Sequence, residues 1–413
     1  MAGTIGTGPQ LHLESERGTM TVQKASADDA DKDRRSRVEG RQTGEGERRF
    51  VPASRTGDFD LHGAIGGTAG CRRLSMAFYA RVAKDPLLRP LFPGKTMKCA
   101  IEEFVAFLAQ FLGGPVADAQ RRLWVSLRES HLRFQIGPGE RAAWMKHMVG
   151  ALEDAEIDEP ARASLREFFE HSSAYVVNVG SAPYFGASME TEPDSIHREI
   201  AKRWDAQLTL DDAVAAVRSG DTERALTLAD TLKSQASFSK NHRSVLVGLF
   251  GVMLGSGTDA MFRYIQDEIT LDPEIAHERY GGRTLLHVAS ARSRLTLVEF
   301  LLRMGADPNA RDTGDHAPLY SLANECKNAA AGGVVRALVE YGANVNANGG
   351  VKHCTALHMA ARRGNVEVAQ ALLECGADVE ARDSLGVTPL RRALNCRRPE
   401  VAALLVRWGV ARE

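Results

Sequence analysis

The feature that most limits how this chain can fold is a phrase that returns, near the C-terminal end, at a nearly constant interval. Thr284-Leu285-Leu286-His287, Ala317-Pro318-Leu319-Tyr320, Thr355-Ala356-Leu357-His358 and Thr388-Pro389-Leu390-Arg391 open successive units, 33, 38 and 33 residues apart. Each unit closes on Gly305-Ala306-Asp307, Gly342-Ala343-Asn344, Gly376-Ala377-Asp378 or Gly409-Val410. A threonine hydroxyl satisfies unpaired N–H groups at a helix start, and glycine accepts the left-handed conformation that ends one. Every unit is therefore expected to be a helix hairpin with one apolar flank. It is too small to bury that flank alone, so neighbours must stack into a solenoid. Weaker copies precede it in Leu210-Asp211-Asp212-Ala213-Val214 with Gly220-Asp221, and from Leu246 to Ile269 with Asp272-Pro273, which gives about six units over 208–413. The second clear unit carries five extra residues, four of them between its helices near Lys327 to Gly333. Insertions in a solenoid fall on one face, so this segment is a candidate contact surface. His287 and His358 belong to the repeated phrase and are expected to make local hydrogen bonds, not to bind metal.

A chain of 413 residues exceeds what one core usually organises, so a second folded region is expected upstream. Its 52 basic and 53 acidic side chains nearly cancel, leaving no long-range field to draw in nucleic acid or an anionic membrane. No stretch has the ~20 apolar residues of a membrane span, and the six cysteines are scattered without a C-x-x-C pair. A cytoplasmic protein with reduced thiols, buried as small apolar residues, is the expectation. Residues 1–57 are rich in charged and small residues, as in Asp28 to Arg35, and are expected to form a disordered tail, with Met20 as an alternative start. From 58 to 180 the apolar residues take a helical period: Leu74, Phe78 and Val82; then Ile101, Phe104, Val105, Leu108 and Phe111; then Met145, Met148, Val149 and Leu152; then Leu165, Phe168, Phe169 and Val176. Two antiparallel helix pairs packed on each other would bury these stripes. About two dozen residues of weak periodicity separate the second and third helices, and they read as a functional loop. Residues 181–207 read as a linker.

His131 lies in that loop, and Trp144 follows thirteen residues later. An imidazole and an indole at this separation, between amphipathic helices, can face each other across a flat cofactor, and haem iron is commonly held by one neutral imidazole. Leu127 and Phe134 lie about one turn to either side of His131 and are placed to pack on a porphyrin. Tyr79 and Trp144 would bring an O–H and an N–H into an apolar cavity, where donors without partners are costly. A haem ligand with partial negative charge would satisfy them, each donor contributing roughly 1.5 to 3 kcal/mol, or about ten- to a hundred-fold in ligand retention. His62, His147 and His171 are rival ligands. His147, however, sits in the third helix beside its apolar stripe, and His171 lies among the serines of the fourth, with no donors opposite either.

Residues 58–180 resemble a truncated globin of the second group. The resemblance rests on Gly66-Gly67, on Phe78-Tyr79 followed by Asp85-Pro86 and Phe92-Pro93, on Phe111-Leu112-Gly113-Gly114-Pro115, and on His131-Leu132-Arg133-Phe134 leading to Trp144. It implies a two-over-two helical sandwich around haem b, iron protoporphyrin IX, with His131 as the axial ligand, Tyr79 and Trp144 stabilising the bound gas, Phe92 packing on the porphyrin, and Ala100 and Phe104 lining the distal side. Two departures stand out. Ser130 replaces the arginine usual before the axial histidine, and Gln120 to Trp124 lacks the customary Gly-His-Pro. Arg122, Arg128 and Arg133 are the candidates to contact the haem propionates instead. Residues 208–413 resemble ankyrin repeats, which implies a protein-binding surface. The expected whole is an all-α chain, a truncated globin followed by an ankyrin solenoid. Its globin would bind dioxygen and nitric oxide with slow release, serving gas or redox sensing or the docking of a haem module. Two alternatives stay open. One is a nitric oxide dioxygenase or peroxidase that needs an external reductase recruited by the repeats, since no flavin- or nicotinamide-binding segment is present. The other is a haem-free scaffold.

Overall fold

Gly66 and Gly67, at positive φ of 85° and 65°, turn the chain from α1 (Leu61–Ala64) into the start of α2 (Gly67–Val82). The computed structural model describes residues 60–410 except 93, 121, 123, 181–188, 190–194, 236–241, 257 and 327–330. The expected tail over 1–57, and Lys327 to Ala330 of the expected contact surface, lie outside the described residues.

The helices α2, α3 (Lys98–Phe111), α6 (Pro138–Asp154) and α7 (Ala161–Tyr175) coincide with the four apolar stripes. Helix α2 packs against α3 and α6, and α6 against α7. Phe107 and Phe111 of α3 stack on Phe168 of α7, with centroids 6.3 and 4.2 Å apart, which closes the core from the far side. The segment expected as a loop holds two short helices, α4 (Val116–Ala119) and α5 (Leu127–His131). Five residues are too few for a helical period to show in sequence, so this element was not legible there.

Residues 181–207, expected as a linker, contain the first half of a 25-residue helix, α8 (Ser195–Ser219). Ile196, Ile200, Ala201 and Trp204 of α8 complete the core of α2, α3, α6 and α7. Leu210, Ala213, Val214 and Val217 of the same helix belong to the core of the solenoid. The boundary expected at 207 therefore falls inside one continuous helix. Its two ends present their apolar residues to different neighbours, which blurs a single stripe.

Helix pairs follow: α8 with α9 (Thr222–Ser234), α10 (His242–Ser256) with α11 (Asp259–Leu271), α12 (Leu285–Ala291) with α13 (Leu295–Arg303), and α14 (Pro318–Glu325) with α15 (Gly332–Glu340). The last two are α16 (Ala356–Arg363) with α17 (Val366–Glu374), and α18 (Pro389–Asn395) with α19 (Pro399–Val410). The first helices of the later pairs stack in the order α12, α14, α16, α18, and the second helices in the order α13, α15, α17, α19. Two antiparallel hairpins project from the stack, β1 (Arg279–Tyr280) with β2 (Arg283–Thr284) and β3 (Asn348–Gly349) with β4 (Cys354–Thr355). Among the described residues no helix is long and apolar enough to cross a membrane.

The solenoid grips the segment that leads into α5. Gln120 accepts from Gly282 N at 2.9 Å, and the Tyr280 hydroxyl donates to the Trp124 carbonyl at 2.8 Å. Gly248 of α10 permits this approach, because a Cβ there would lie 2.8 Å from the Tyr280 ring and 2.9 Å from Val125. Arg218 of α8 pairs with Glu129 of α5 at 2.8 Å.

Candidate functional site

A five-residue helix cannot hold itself together, so α5 depends on what caps it. The Ser126 hydroxyl accepts from Glu129 N at 3.0 Å, and the Asp211 carboxylate of α8 accepts from Leu127 N and Arg128 N, both at 2.9 Å. Three N–H groups at the helix start are thereby satisfied, and the last residue of the helix, His131, is fixed in place. His131 Nδ1 lies 2.7 Å from the Leu127 carbonyl and 2.9 Å from the Ser130 hydroxyl. The Ser130 hydroxyl itself donates to the same carbonyl at 2.6 Å. A proton held on Nδ1 leaves the lone pair on Nε2, the tautomer a metal requires. Burial holds the imidazole below its usual range, opposed by the Leu127 carbonyl and reinforced by Arg133 and Arg122, so the ring is neutral near pH 7.

From His131 a continuous set of rings leads to the expected distal donors. Phe134 lies 6.3 Å from the His131 ring, Phe92 6.1 Å from Phe134, and Tyr79 5.5 Å from Phe92. Phe104 is 6.2 Å from Tyr79, edge to face. Trp144 joins through Phe78 at 5.1 Å and Phe169 at 5.6 Å. Leu127 is buried, and Ala100 is half-buried against the same core. The structure thus brings Tyr79, Trp144, Phe92, Ala100, Phe104 and Leu127 to one core, with Phe134 and His131 adjoining it through the Phe92 ring. Among the described residues neither the Tyr79 hydroxyl nor the Trp144 indole N–H has a hydrogen-bond partner. Burial pushes the Tyr79 phenol well above its usual range, which keeps it a donor.

This donor set fits iron protoporphyrin. Among the described residues no three His, Cys, Asp or Glu side chains gather to hold a bare metal ion. His131 offers one imidazole nitrogen beside walls of flat, apolar rings, the lining a porphyrin packs on. The rival histidines are engaged elsewhere: His147 Nε2 with Asp85 at 2.7 Å, His62 Nε2 with the Thr68 hydroxyl at 3.3 Å, and His171 with Glu167 at 3.9 Å.

The three candidate propionate arginines separate. Arg122 is 4% exposed and donates to the Trp124 and Val125 carbonyls, Gln110 and Gln207. Its guanidinium thus joins α3, the segment that leads into α5, and α8. Arg128 lies over the Tyr175 ring at 4.6 Å. Arg133 is exposed, 4.7 Å over the Phe134 ring.

In the solenoid, His287 Nδ1 accepts from Thr284 N at 3.2 Å, and Nε2 lies 3.1 Å from the His316 carbonyl. His358 repeats this with Thr355 N at 3.2 Å and the Val387 carbonyl at 2.9 Å. Both rings therefore serve as helix caps. Of the cysteines, Cys71, Cys326 and Cys354 are buried, but Cys99 is exposed and Cys375 and Cys396 are intermediate, which corrects the expectation of six buried thiols. Sequence reasoning passed over Asp211 and Gln207. The available signal was two polar residues interrupting the apolar stripe of Trp204, Leu210 and Val214.

A model of bacterial-like globins matches residues 60–178, a single ankyrin repeat matches 281–313, and a model of three ankyrin repeats matches 326–411. The globin segment is similar to the group 2 truncated hemoglobin YjbI of Bacillus subtilis, 34% identical over 101 residues, which are 24% of this chain and 76% of that protein. It is also similar to two-on-two hemoglobin-3 of Arabidopsis thaliana, 30% identical over 25% of this chain and 61% of that protein. The repeats are similar to ankyrin repeat and SOCS box protein 3 of Bos taurus, 36% identical over 28% of this chain but spanning 21% of that protein's length. Among solved structures, the hemoglobin of Chloroflexus aurantiacus is 42% identical, with 29% of this chain and 98% of that one covered at a TM-score of 0.28.

Proposed function

Because this chain belongs, through residues 60–178, to the group 2 truncated haemoglobins and continues into ankyrin repeats, we propose that it binds haem b and takes up dioxygen or nitric oxide with slow release, beside a protein-docking solenoid. The observation that carries this reading is His131, its Nδ1 held by the Leu127 carbonyl and its Nε2 left with a lone pair beside a ring-lined core. Haem held there supplies an iron centre that binds small diatomic gases reversibly. His131 would hold the group through Nε2, with Leu127, Phe134 and Phe92 packing on it. Ala100 and Phe104 complete an apolar wall that excludes water. The Tyr79 hydroxyl and Trp144 indole, without partners among the described residues, are two donors available to a ligand that carries partial negative charge. Arg133 is the favoured propionate contact, because its guanidinium is exposed beside the pocket while Arg122 and Arg128 are committed elsewhere. The solenoid would bind a partner protein, as ankyrin arrays do by resemblance, and so place the haem domain beside it.

The test is the absorption spectrum of the purified full chain with added haem. An intense Soret band that is absent from His131→Ala is the expected result. A chain without a Soret band, or a variant that keeps the wild-type spectrum, would end the proposal and leave a haem-free scaffold.

A further inference from the structure

The two ends of one peptide group, that between Leu127 and Arg128, face different partners. Its carbonyl oxygen lies 2.7 Å from His131 Nδ1, and its N–H donates to Asp211 Oδ2 at 2.9 Å. The preceding N–H, that of Leu127, donates to Asp211 Oδ1 at 2.9 Å, and Gln207 Nε2 donates to the same oxygen at 2.7 Å. Asp211 is 4% exposed, and three N–H donors converge on its two oxygens, the arrangement suited to an acceptor-only carboxylate. Hydrogen bonds in series polarise one another, and more strongly away from water. A carboxylate drawing on the N–H end of a peptide increases the negative charge at its carbonyl end. The bond from His131 Nδ1–H is strengthened in turn, and electron density moves toward Nε2. Partners of this kind orient a ligating imidazole and raise its basicity.

We infer that Asp211 is a positioning residue for His131, setting its donor strength through the Leu127–Arg128 peptide. The inference rests on His131 holding haem. It also gives α8 a role that neither similarity covers: the carboxylate sits on the helix that opens the solenoid, so the strength of the axial ligand is set from outside the globin segment. Glu129 and Arg218 tie the same two helices together by a different route, a side-chain ion pair at 2.8 Å that does not pass through the Leu127–Arg128 peptide. That second tie separates polarisation from simple tethering.

The experiment is resonance Raman spectroscopy of the full-length ferrous protein, reading the iron–histidine stretch in wild type, Asp211→Asn and Glu129→Gln. Haem transfer to an excess of an acceptor apoprotein is followed in parallel. Asparagine keeps the shape but removes the charge and turns an NH₂ toward one of the backbone donors. The stretch is expected to fall in frequency, and haem affinity to drop about 10- to 100-fold. Glu129→Gln is expected to leave the frequency unmoved. If Asp211→Asn does not fold, Gln207→Leu removes one competing donor from the carboxylate and is expected to raise the frequency. A stretch indifferent to Asp211→Asn, or to Gln207→Leu where that is the variant measured, overturns the inference, as does one that Glu129→Gln lowers equally. A wild-type protein with no iron–histidine mode overturns the haem reading, and this inference with it.

Discussion

Tyr79 and Trp144 reach the same ring-lined core from different helices, α2 and α6, and each brings one polar hydrogen into a wall otherwise built of rings. A hydrogen bond from either to a partly charged ligand contributes roughly 1.5 to 3 kcal/mol. Tyr79→Phe and Trp144→Phe are therefore each expected to speed oxygen release about ten- to a hundred-fold, measured by stopped-flow displacement from the reconstituted protein. Release rates within two-fold of wild type for both variants would remove these side chains from the role. At this scale the sequence was informative about the ring-bearing residues, because His131, Tyr79, Phe92 and Trp144 sit in motifs that differ from ordinary core patterns. It was less informative about the arginines. A charged residue in a weakly periodic segment is by default a surface residue, and only the fold reveals that Arg122 is enclosed by Gln110, Gln207 and two carbonyls.

Short elements depend on their caps, and the repeats show how the cap works. The His287 ring accepts from Thr284 N and reaches the His316 carbonyl of the next unit, so the same side chain starts α12 and fastens neighbours together. Such a ring must stay neutral, and burial lowers its pKa to about 4. In the unfolded chain the imidazole titrates near 6.5, so between about pH 6.5 and 4 the unfolded state binds a proton that the folded repeat excludes. The stabilisation is complete above that window and lost as pH falls through it, on the order of 3 kcal/mol for this site. His358, lowered for the same reason, adds to the effect. Thermal midpoints of the full chain are expected to fall between pH 7 and 4, less steeply in His287→Ala; equal slopes would sink the assignment. The repeat phrase made these helices legible because its threonine, histidine and glycine each have a local structural duty. Helix α5 carries only an isolated cap, Ser126, and its main support comes from Asp211, more than eighty residues away. No local pattern announces a partner at that distance.

At the scale of the whole molecule, α8 decides whether the chain behaves as two modules or as one. Trp204 is fully buried, 5.7 Å from Phe168 and 5.6 Å from Tyr175, so the globin core is incomplete without a helix that lies beyond residue 178. Arg203 donates to the Phe111 carbonyl at 3.1 Å, capping the end of α3 from the same helix. One turn and more beyond Trp204, the helix enters the solenoid core through Leu210, Val214 and Val217. Since α8 is unbroken, melting that spreads from its first half reaches Asp211, the support of α5, and then the first repeat. Removing a buried tryptophan side chain costs about 3 to 5 kcal/mol, a large share of the roughly 5 to 15 kcal/mol by which domains are stable. Trp204→Ala in the full chain is therefore expected to move the loss of the Soret band to markedly lower denaturant. Far-UV circular dichroism of the solenoid should begin to fall in the same range. Two folded regions joined by a passive tether would behave differently: the Soret midpoint would be indifferent to a residue at 204, and that outcome would refute a shared helix.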